Sequence, residues 1–197
     1  IIQDFPFTGI LKFAKVYQRK NIMTQRLKKR KTNLALIGLG NIGLVHLKAL
    51  KKLEGSNNIV LRAVADLKPK RKFPGLLYFS DYRKLLEEKD IRVISIATPP
   101  DTHYQIAKEA LGAGKDVLLE KPPTLSLEQL ANLTEIASKR KLVLFTAYHA
   151  RYRPEVDLAM RELRNKRVRR IEINYGEYVL NYHDPRGWIF DPEIAGG

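Results

Sequence analysis

A glycine-rich run in this sequence has the spacing that a bound phosphate group requires. The run Gly38-Leu39-Gly40-Asn41-Ile42-Gly43 follows four apolar residues, 34–37, and precedes apolar residues at helical spacing over residues 42–53. In such a strand-turn-helix segment the first glycine makes the tight turn and the second lets the backbone approach a pyrophosphate. The third allows close packing, and the N–H groups of the first helical turn bind the negative charge. The run therefore predicts a dinucleotide-binding turn.

An acidic residue follows this turn at the distance expected for a ribose contact. Asp66 lies 23 residues after Gly43, directly after the apolar stretch 59–65. A carboxylate there accepts hydrogen bonds from the adenosine ribose hydroxyls and repels a 2′-phosphate, which favours NAD. Three nearby cations leave NADP possible: Lys68, Arg71 and Lys72.

Two further polar segments follow predicted strands. Thr98, Pro99 and His103 come after residues 92–97, and Glu120-Lys121-Pro122 comes after residues 116–119. Ligands of open α/β sheets bind at the carboxyl ends of the strands, so a lysine there can bind a substrate hydroxyl or assist proton transfer. A solvent-facing loop lysine and a helix-starting histidine are the alternatives. We expect the following residues to contact the cofactor: Gly38, Leu39, Gly40, Asn41, Ile42, Gly43, Asp66, Ala97, Thr98, Pro99, His103, Glu120 and Lys121.

The elements that must position these residues alternate along the chain. Short apolar runs predict strands over residues 34–37, 59–65, 92–97, 116–119 and 142–145. Helical spacing predicts helices over residues 42–53, 82–89 after Ser80-Asp81, Asp101 or Thr102 to 111, and Ser126 to 139, while residues 67–75 read as loop. This alternation predicts an α/β fold, with a doubly wound parallel Rossmann sheet in an NAD(P)-binding domain over residues 32–147.

The pattern changes in residues 148–197. A basic amphipathic helix is predicted over residues 154–165, and alternating side chains predict a half-exposed strand over 170–180. We interpret this part as the start of an α+β domain with a mostly antiparallel sheet, for substrate binding and dimerisation. Because one strand cannot bury its face alone, we expect the sequence to be a fragment, truncated at its C-terminal end.

The net charge of +15 is unevenly distributed, since residues 1–33 contain nine basic residues and one acidic residue. We expect residues 1–31 to be a basic leader outside the fold, with Met23 as the natural start; an organelle transit segment and a nucleic-acid-binding arm are the alternatives.

The absence of cysteine excludes a disulfide scaffold, a thiolate metal site and a cysteine nucleophile. The longest uncharged stretch, 16 residues, is too short to cross a bilayer. We expect a cytoplasmic protein without a metal site or membrane partner.

The sequence resembles the Gfo/Idh/MocA family of oxidoreductases. Three segments carry the resemblance: the glycine run, Ala97-Thr98-Pro99-Pro100 with His103, and Glu120-Lys121-Pro122. The resemblance covers residues 33–197 and implies an NAD(P)-dependent oxidoreductase with Lys121 in the active site. The family's aspartate and asparagine at the reacting centre would lie beyond Gly197.

A narrower resemblance is to bacterial D-galactose and L-arabinose 1-dehydrogenases. It rests on the segment from Tyr148 to Tyr152, on Glu177, and on Tyr182-His183 with residues 188–192. It implies that Lys121 is catalytic and that Lys121, His149, Glu177 and His183 bind the sugar. Gly176-Glu177-Tyr178 and residues 183–187 depart from the pattern of those enzymes, which leaves the identity of the sugar open.

The two resemblances imply a sugar dehydrogenase that transfers a hydride between nicotinamide and C1 of an aldose and gives a lactone. We expect a small sugar as substrate, NAD or NADP as cofactor, a homo-oligomer formed through the second domain, and no nucleic-acid partner. A catalytically inactive nucleotide-binding regulator on the same fold is the alternative. A basic nucleic-acid-binding protein is the third hypothesis, and it predicts binding that weakens steeply with salt.

Overall fold

A parallel sheet organises the computed structural model, which describes residues 31–54, 58–68, 73–170, 172 and 187–195. The predicted leader, apart from Lys31, lies outside the described residues, as do Glu177 and His183. The strands of this sheet are β1 (Thr32–Ile37), β2 (Ile59–Ala65), β3 (Leu77–Phe79), β4 (Ile91–Ile96), β5 (Asp116–Leu119) and β6 (Leu144–Thr146).

The strand order is β3-β2-β1-β4-β5-β6, and all pairings between these strands are parallel. The chain therefore winds outward from β1 in one direction and then, from β4, in the other. This order confirms the predicted doubly wound sheet, and the carboxyl ends of β1 and β4 form the switch point where such sheets bind ligands.

Helices connect the strands. They are α1 (Asn41–Leu53), α2 (Tyr82–Leu86), α3 (Pro100–Gly112), α4 (Leu127–Lys139), α5 (Pro154–Glu162) and α6 (Pro192–Ala195). Short 3-10 turns cover His149–Tyr152 and Trp188–Phe190. None of the helices in the described part of the chain has the length and apolar character needed to cross a membrane.

The core forms two layers because side chains alternate along each strand. Leu34 and Leu36 of β1 belong to the apolar layer that α1 covers, whereas Ala35 and Ile37 belong to the layer under α2, α3 and α4. The same alternation places Leu118 of β5 in the first layer. This alternation decides which polar residues near the strand ends can meet α1.

Helix starts follow the predicted capping chemistry. The Ser126 hydroxyl accepts a hydrogen bond from the Gln129 N–H, and the Asp81 carboxylate accepts one from the Arg83 N–H. Helix α3 begins at Pro100, before either of the two predicted starts, Asp101 and Thr102, because proline at the first helical position loses no intrahelical hydrogen bond.

The sequence pattern did not predict β3. This strand has three residues and pairs only with β2 in the described sheet, so it is too short to show an alternating pattern. Other boundaries shift by a few residues: α2 ends at Leu86 rather than at 89, and β6 covers 144–146 rather than 142–145.

The second predicted domain is described only in part. Helix α5 begins at Pro154 as predicted but ends at Glu162 rather than at 165. In the predicted strand over 170–180, Arg170 and Glu172 are not in a strand, and the other residues lie outside the described part of the chain. The described residues show no antiparallel sheet, so the second-domain sheet stays a prediction.

Candidate functional site

The first glycine of the turn is required by a close backbone approach. Gly38 has φ of +92°, and a Cβ added there would lie 2.5 Å from the Ala97 carbonyl oxygen. Its N–H donates to the Ala65 carbonyl at the end of β2. The turn after β1 is therefore pressed between the ends of both neighbouring strands, which leaves no room for a side chain.

The third glycine packs α1 onto this turn. A Cβ added to Gly43 would overlap the Gly38 carbonyl oxygen and lie 2.8 Å from the Gly38 carbonyl carbon. The sequence analysis expected this glycine to allow packing of the helix on the sheet. The structure shows that the backbone of the turn is the nearest neighbour.

The second glycine, in contrast, borders open space. No atom lies within 4 Å of a Cβ added to Gly40, which is the N-cap of α1 and has no side-chain capping bond. Asn41 and Ile42, the first residues of the helix, are both exposed. The positive end of α1 thus opens into space, and the first helical turn carries no acidic residue, an arrangement that fits a pyrophosphate.

Asp66 lies beside the turn, held by the backbone. Its Oδ2 accepts a hydrogen bond from the Leu39 N–H at 2.7 Å, and its Oδ1 accepts one from the Lys68 N–H at 2.8 Å. The Leu39 amide therefore contacts the carboxylate in this structure. Asp66 remains partly exposed, so its oxygens retain lone pairs for ribose hydroxyls.

His103 bridges two loops at the carboxyl edge. Its side chain is buried, with Nδ1 2.7 Å from the Pro122 carbonyl oxygen and Nε2 2.8 Å from the Thr98 carbonyl oxygen. Both ring nitrogens therefore have protein partners in this structure. Direct contact between His103 and a cofactor stays a prediction, and the position that the structure shows is a link between the Thr98 and Pro122 segments.

Glu120 belongs to a buried chain of hydrogen bonds under α1. Its Oε1 lies 2.8 Å from His46 Nε2, and His46 Nδ1 lies 2.8 Å from the Ser95 hydroxyl. All three residues are less than a tenth exposed. At its other oxygen, Oε2, Glu120 accepts the backbone N–H of Lys121 at 3.0 Å.

The environment of Glu120 keeps its carboxyl group ionised. Burial alone would raise its pKa, but the hydrogen bond and charge of His46, with the N–H and charge of Lys121, outweigh burial and lower the pKa below its ordinary value of 4.5. Removing a partner from such a buried charge costs about 3 kcal/mol or more. The carboxylate is therefore a fixed negative group beside Lys121.

Lys121 and His149 follow adjacent strand ends. The Ala147 N–H donates to the Leu119 carbonyl at 2.8 Å, so the chain leaves β5 and β6 side by side. Lys121 is exposed and His149 is partly buried, each two residues beyond this contact. The peptide bond between Lys121 and Pro122 is cis.

Sequence reasoning missed His46 and Ser95. Each carried a signal: Ser95 is a polar residue inside an apolar strand, and His46 lies one helical turn after Gly43 on the buried face of α1. The described residues contain no group of three His, Asp or Glu side chains that could hold a metal ion.

Comparison with known proteins agrees with this geometry. The model of the Gfo/Idh/MocA oxidoreductase family, with an NAD-binding Rossmann fold, matches residues 32–148, which are more than half of the chain. The chain belongs to this family. Its glycine turn, Asp66 and Glu120-Lys121-Pro122 all lie inside the matched range.

Several known proteins are similar to this chain over a longer range. A levoglucosan dehydrogenase from Pseudarthrobacter phenanthrenivorans is 28% identical over 179 residues, which are 83% of this chain and 46% of that protein. The crystal structure of a D-galactose-1-dehydrogenase from Rhizobium etli is 30% identical with a TM-score of 0.73, over 85% of this chain and 53% of that one.

A third similar protein was crystallised with a cofactor. The WlbA dehydrogenase from Chromobacterium violaceum, in complex with NADH and UDP-GlcNAcA, is 27% identical with a TM-score of 0.65, over 72% of this chain and 42% of that one. The chain spans about half the length of these relatives.

The second and third glycines of the turn should respond differently to alanine. Gly40→Ala places a methyl group in the open space before α1, so we expect the Kd for NAD to rise by about tenfold with unfolding free energy nearly unchanged. Gly43→Ala should lower the unfolding free energy by about 1–3 kcal/mol or more through overpacking. Calorimetric titration with NAD and urea unfolding of the full-length protein measure both.

Gly112→Ala is the matched control, because a Cβ at Gly112 also meets nothing within 4 Å but lies at the far end of α3. It should leave NAD binding unchanged. Equal NAD affinity in the Gly40 and Gly112 variants would contradict a pyrophosphate site at this turn.

Proposed function

We propose that the full-length protein is an NAD(P)-dependent sugar dehydrogenase that oxidises C1 of an aldose to a lactone. The observation that supports it best is the position of Lys121, which the Glu120 carboxylate holds at the carboxyl end of β5. Only β4 separates this strand from β1, which precedes the Gly38 turn. The similarity to a D-galactose-1-dehydrogenase and to a levoglucosan dehydrogenase supports a sugar as the substrate class.

The cofactor would bind across the switch point. The start of α1 would hold the pyrophosphate, and Asp66 would accept the adenosine ribose hydroxyls. A bound nicotinamide supplies hydride acceptance at its ring. Because the Asp66 carboxylate is fixed by two backbone N–H groups, it would also repel a 2′-phosphate, which favours NAD over NADP.

In the reaction, the C1 hydroxyl would lose its proton to a base while the C1–H bond gives its hydride to the cofactor. Lys121 would donate hydrogen bonds to the C1 or C2 oxygen and stabilise the negative charge that develops there. Its backbone is held by Glu120, so its side chain leaves the strand end in a defined direction.

Sugar recognition would involve side chains of the following segment. His149, which follows β6, is the described candidate, whereas Glu177 and His183 are proposed from the resemblance alone. Buried polar groups that each bind one hydroxyl reject sugars that lack it, so these residues would decide which aldose is oxidised.

Lys121→Ala should lower kcat for sugar-dependent NAD reduction by about 10²- to 10³-fold, because it removes a cation that acts on developing charge. The Kd for NAD should stay within about threefold of the original value. The measurement is NADH formation by the full-length protein with D-galactose and L-arabinose, with Lys139→Ala, an exposed lysine on α4, as the control.

Unchanged turnover in the Lys121 variant would contradict the catalytic role. A full-length protein that binds NAD but oxidises no aldose would instead favour the regulator hypothesis.

Asp66→Ser should shift the cofactor preference toward NADP. Loss of the carboxylate removes both a ribose acceptor and the repulsion of a 2′-phosphate, so the ratio of the Kd for NADP to that for NAD should fall by about tenfold or more. Fluorescence titration with both nucleotides measures this ratio. Asp90→Ser, an exposed aspartate beside the amino end of β4, is the control, and an unchanged ratio in the Asp66 variant would refute the assignment.

A further inference from the structure

A histidine that lies outside the expected cofactor contacts is joined to Lys121 through two hydrogen bonds. His46 Nε2 contacts Glu120 Oε1 at 2.8 Å, and Glu120 Oε2 accepts the Lys121 N–H at 3.0 Å. His46 is 3% exposed, so its bond to Glu120 is shielded from competing water. The two oxygens of one carboxylate thus connect helix α1 to the backbone of Lys121.

The alternation of the strands explains why these residues meet. Ser95 is two residues after Val93, and Glu120 is two residues after Leu118, and both apolar residues belong to the layer under α1. Ser95 and Leu118 are also register partners in the sheet. Ser95 and Glu120 therefore extend the face that α1 covers, and His46 is the polar side chain that α1 buries against this face.

The bonding pattern places a proton on Nε2 of His46. The pKa of Glu120 lies below its ordinary value, so its carboxylate accepts only, and His46 must donate from Nε2. Nδ1 is hydrogen-bonded to the Ser95 hydroxyl, which can donate or accept. Each oxygen of the Glu120 carboxylate then has one partner, so the carboxylate cannot rotate without losing its hydrogen bond to the His46 imidazole or to the Lys121 amide.

We infer that His46 is a positioning residue, which holds Lys121 in place by fixing the Glu120 carboxylate on the Lys121 backbone amide. Since α1 also carries the proposed pyrophosphate site at its N-terminus, the same helix would set the position of cofactor and lysine together. The catalytic consequence rests on the proposed function of Lys121, but the structural link can be measured without any substrate.

Two substitutions of His46 distinguish the roles of its two ring nitrogens. Gln places an amide nitrogen near the position of Nε2 and can donate to Glu120, whereas Asn reaches the position of Nδ1 and can contact Ser95 only. In the full-length protein labelled with ¹⁵N-lysine, His46→Asn should accelerate hydrogen exchange of the Lys121 amide by about tenfold or more. His46→Gln should keep the exchange rate within about threefold.

Two controls distinguish a local effect from general loosening. The Lys115 amide, which donates to the Ala110 carbonyl, appears in the same spectrum and should exchange at an unchanged rate. Asp116→Asn alters another buried carboxylate on β5, which accepts the Val143 N–H at the opposite end of the strand. This substitution should lower the free energy of unfolding without selectively accelerating hydrogen exchange of the Lys121 amide.

The inference is overturned if the Lys121 amide exchanges equally fast in the original protein and in the His46→Asn variant, or if Lys115 accelerates to the same extent. If that variant does not fold, the test is to measure the ¹⁵N signals of the His46 ring in the protein without a substitution. They should show a proton on Nε2, and an Nε2 without a proton would overturn the inference.

Turnover adds a readout that depends on the proposed function. With D-galactose as the probe, His46→Asn should lower kcat by about tenfold while the Kd for NAD stays within about threefold. A protein without aldose turnover would disprove the proposed function and leave the exchange result standing.

Discussion

The site depends on one close approach between backbones. At the switch point the turn after β1 passes so near to Ala97 at the end of β4 that only glycine fits at position 38, and α1 then packs onto the same turn at Gly43. These two contacts fix where the helix begins and direct its N-terminus into the space beside Gly40. Because that space borders the carboxyl edge of the sheet, the groups that follow β2, β4 and β5 lie around it.

A second constraint is electrostatic. The layer under α1 is mostly apolar, and the hydrogen-bonded chain from Ser95 through His46 to Glu120 lies beside it. An ionised carboxylate in such surroundings is tolerated only when its oxygens are bonded. Each Glu120 oxygen has a partner, and one partner is the backbone of Lys121. The burial of this charge therefore joins the helix that begins at the nucleotide turn to the strand end that presents the lysine.

Much of this arrangement follows from sequence because its determinants are local. Apolar runs predict β1, β2, β4 and β5, and the glycine spacing predicts the tight turn at Gly38. Strand β3 could not be predicted, since three half-exposed residues pair through tertiary contact rather than through a periodic pattern. The link between His46 and Glu120 joins residues 74 positions apart, and it requires the register of β4 against β5, which no local pattern encodes.

The hydrogen bonds of His103 could not be read from the sequence. Its type and position indicated a cofactor contact, which stays a prediction, and the structure shows both ring nitrogens beside backbone carbonyls of two loops. Sequence places such a residue at the edge of the sheet, whereas its hydrogen-bond partners depend on how the loops fold over it.

The most direct test of the proposed cofactor site is a crystal structure of the full-length protein with NAD bound. We predict pyrophosphate oxygens within about 3.2 Å of backbone N–H groups at the start of α1, and an adenosine ribose hydroxyl on the Asp66 carboxylate. Lys121 Nζ should face the nicotinamide end of the same ligand. A pyrophosphate bound away from the N-terminus of α1, or a nicotinamide remote from Lys121, would contradict the account.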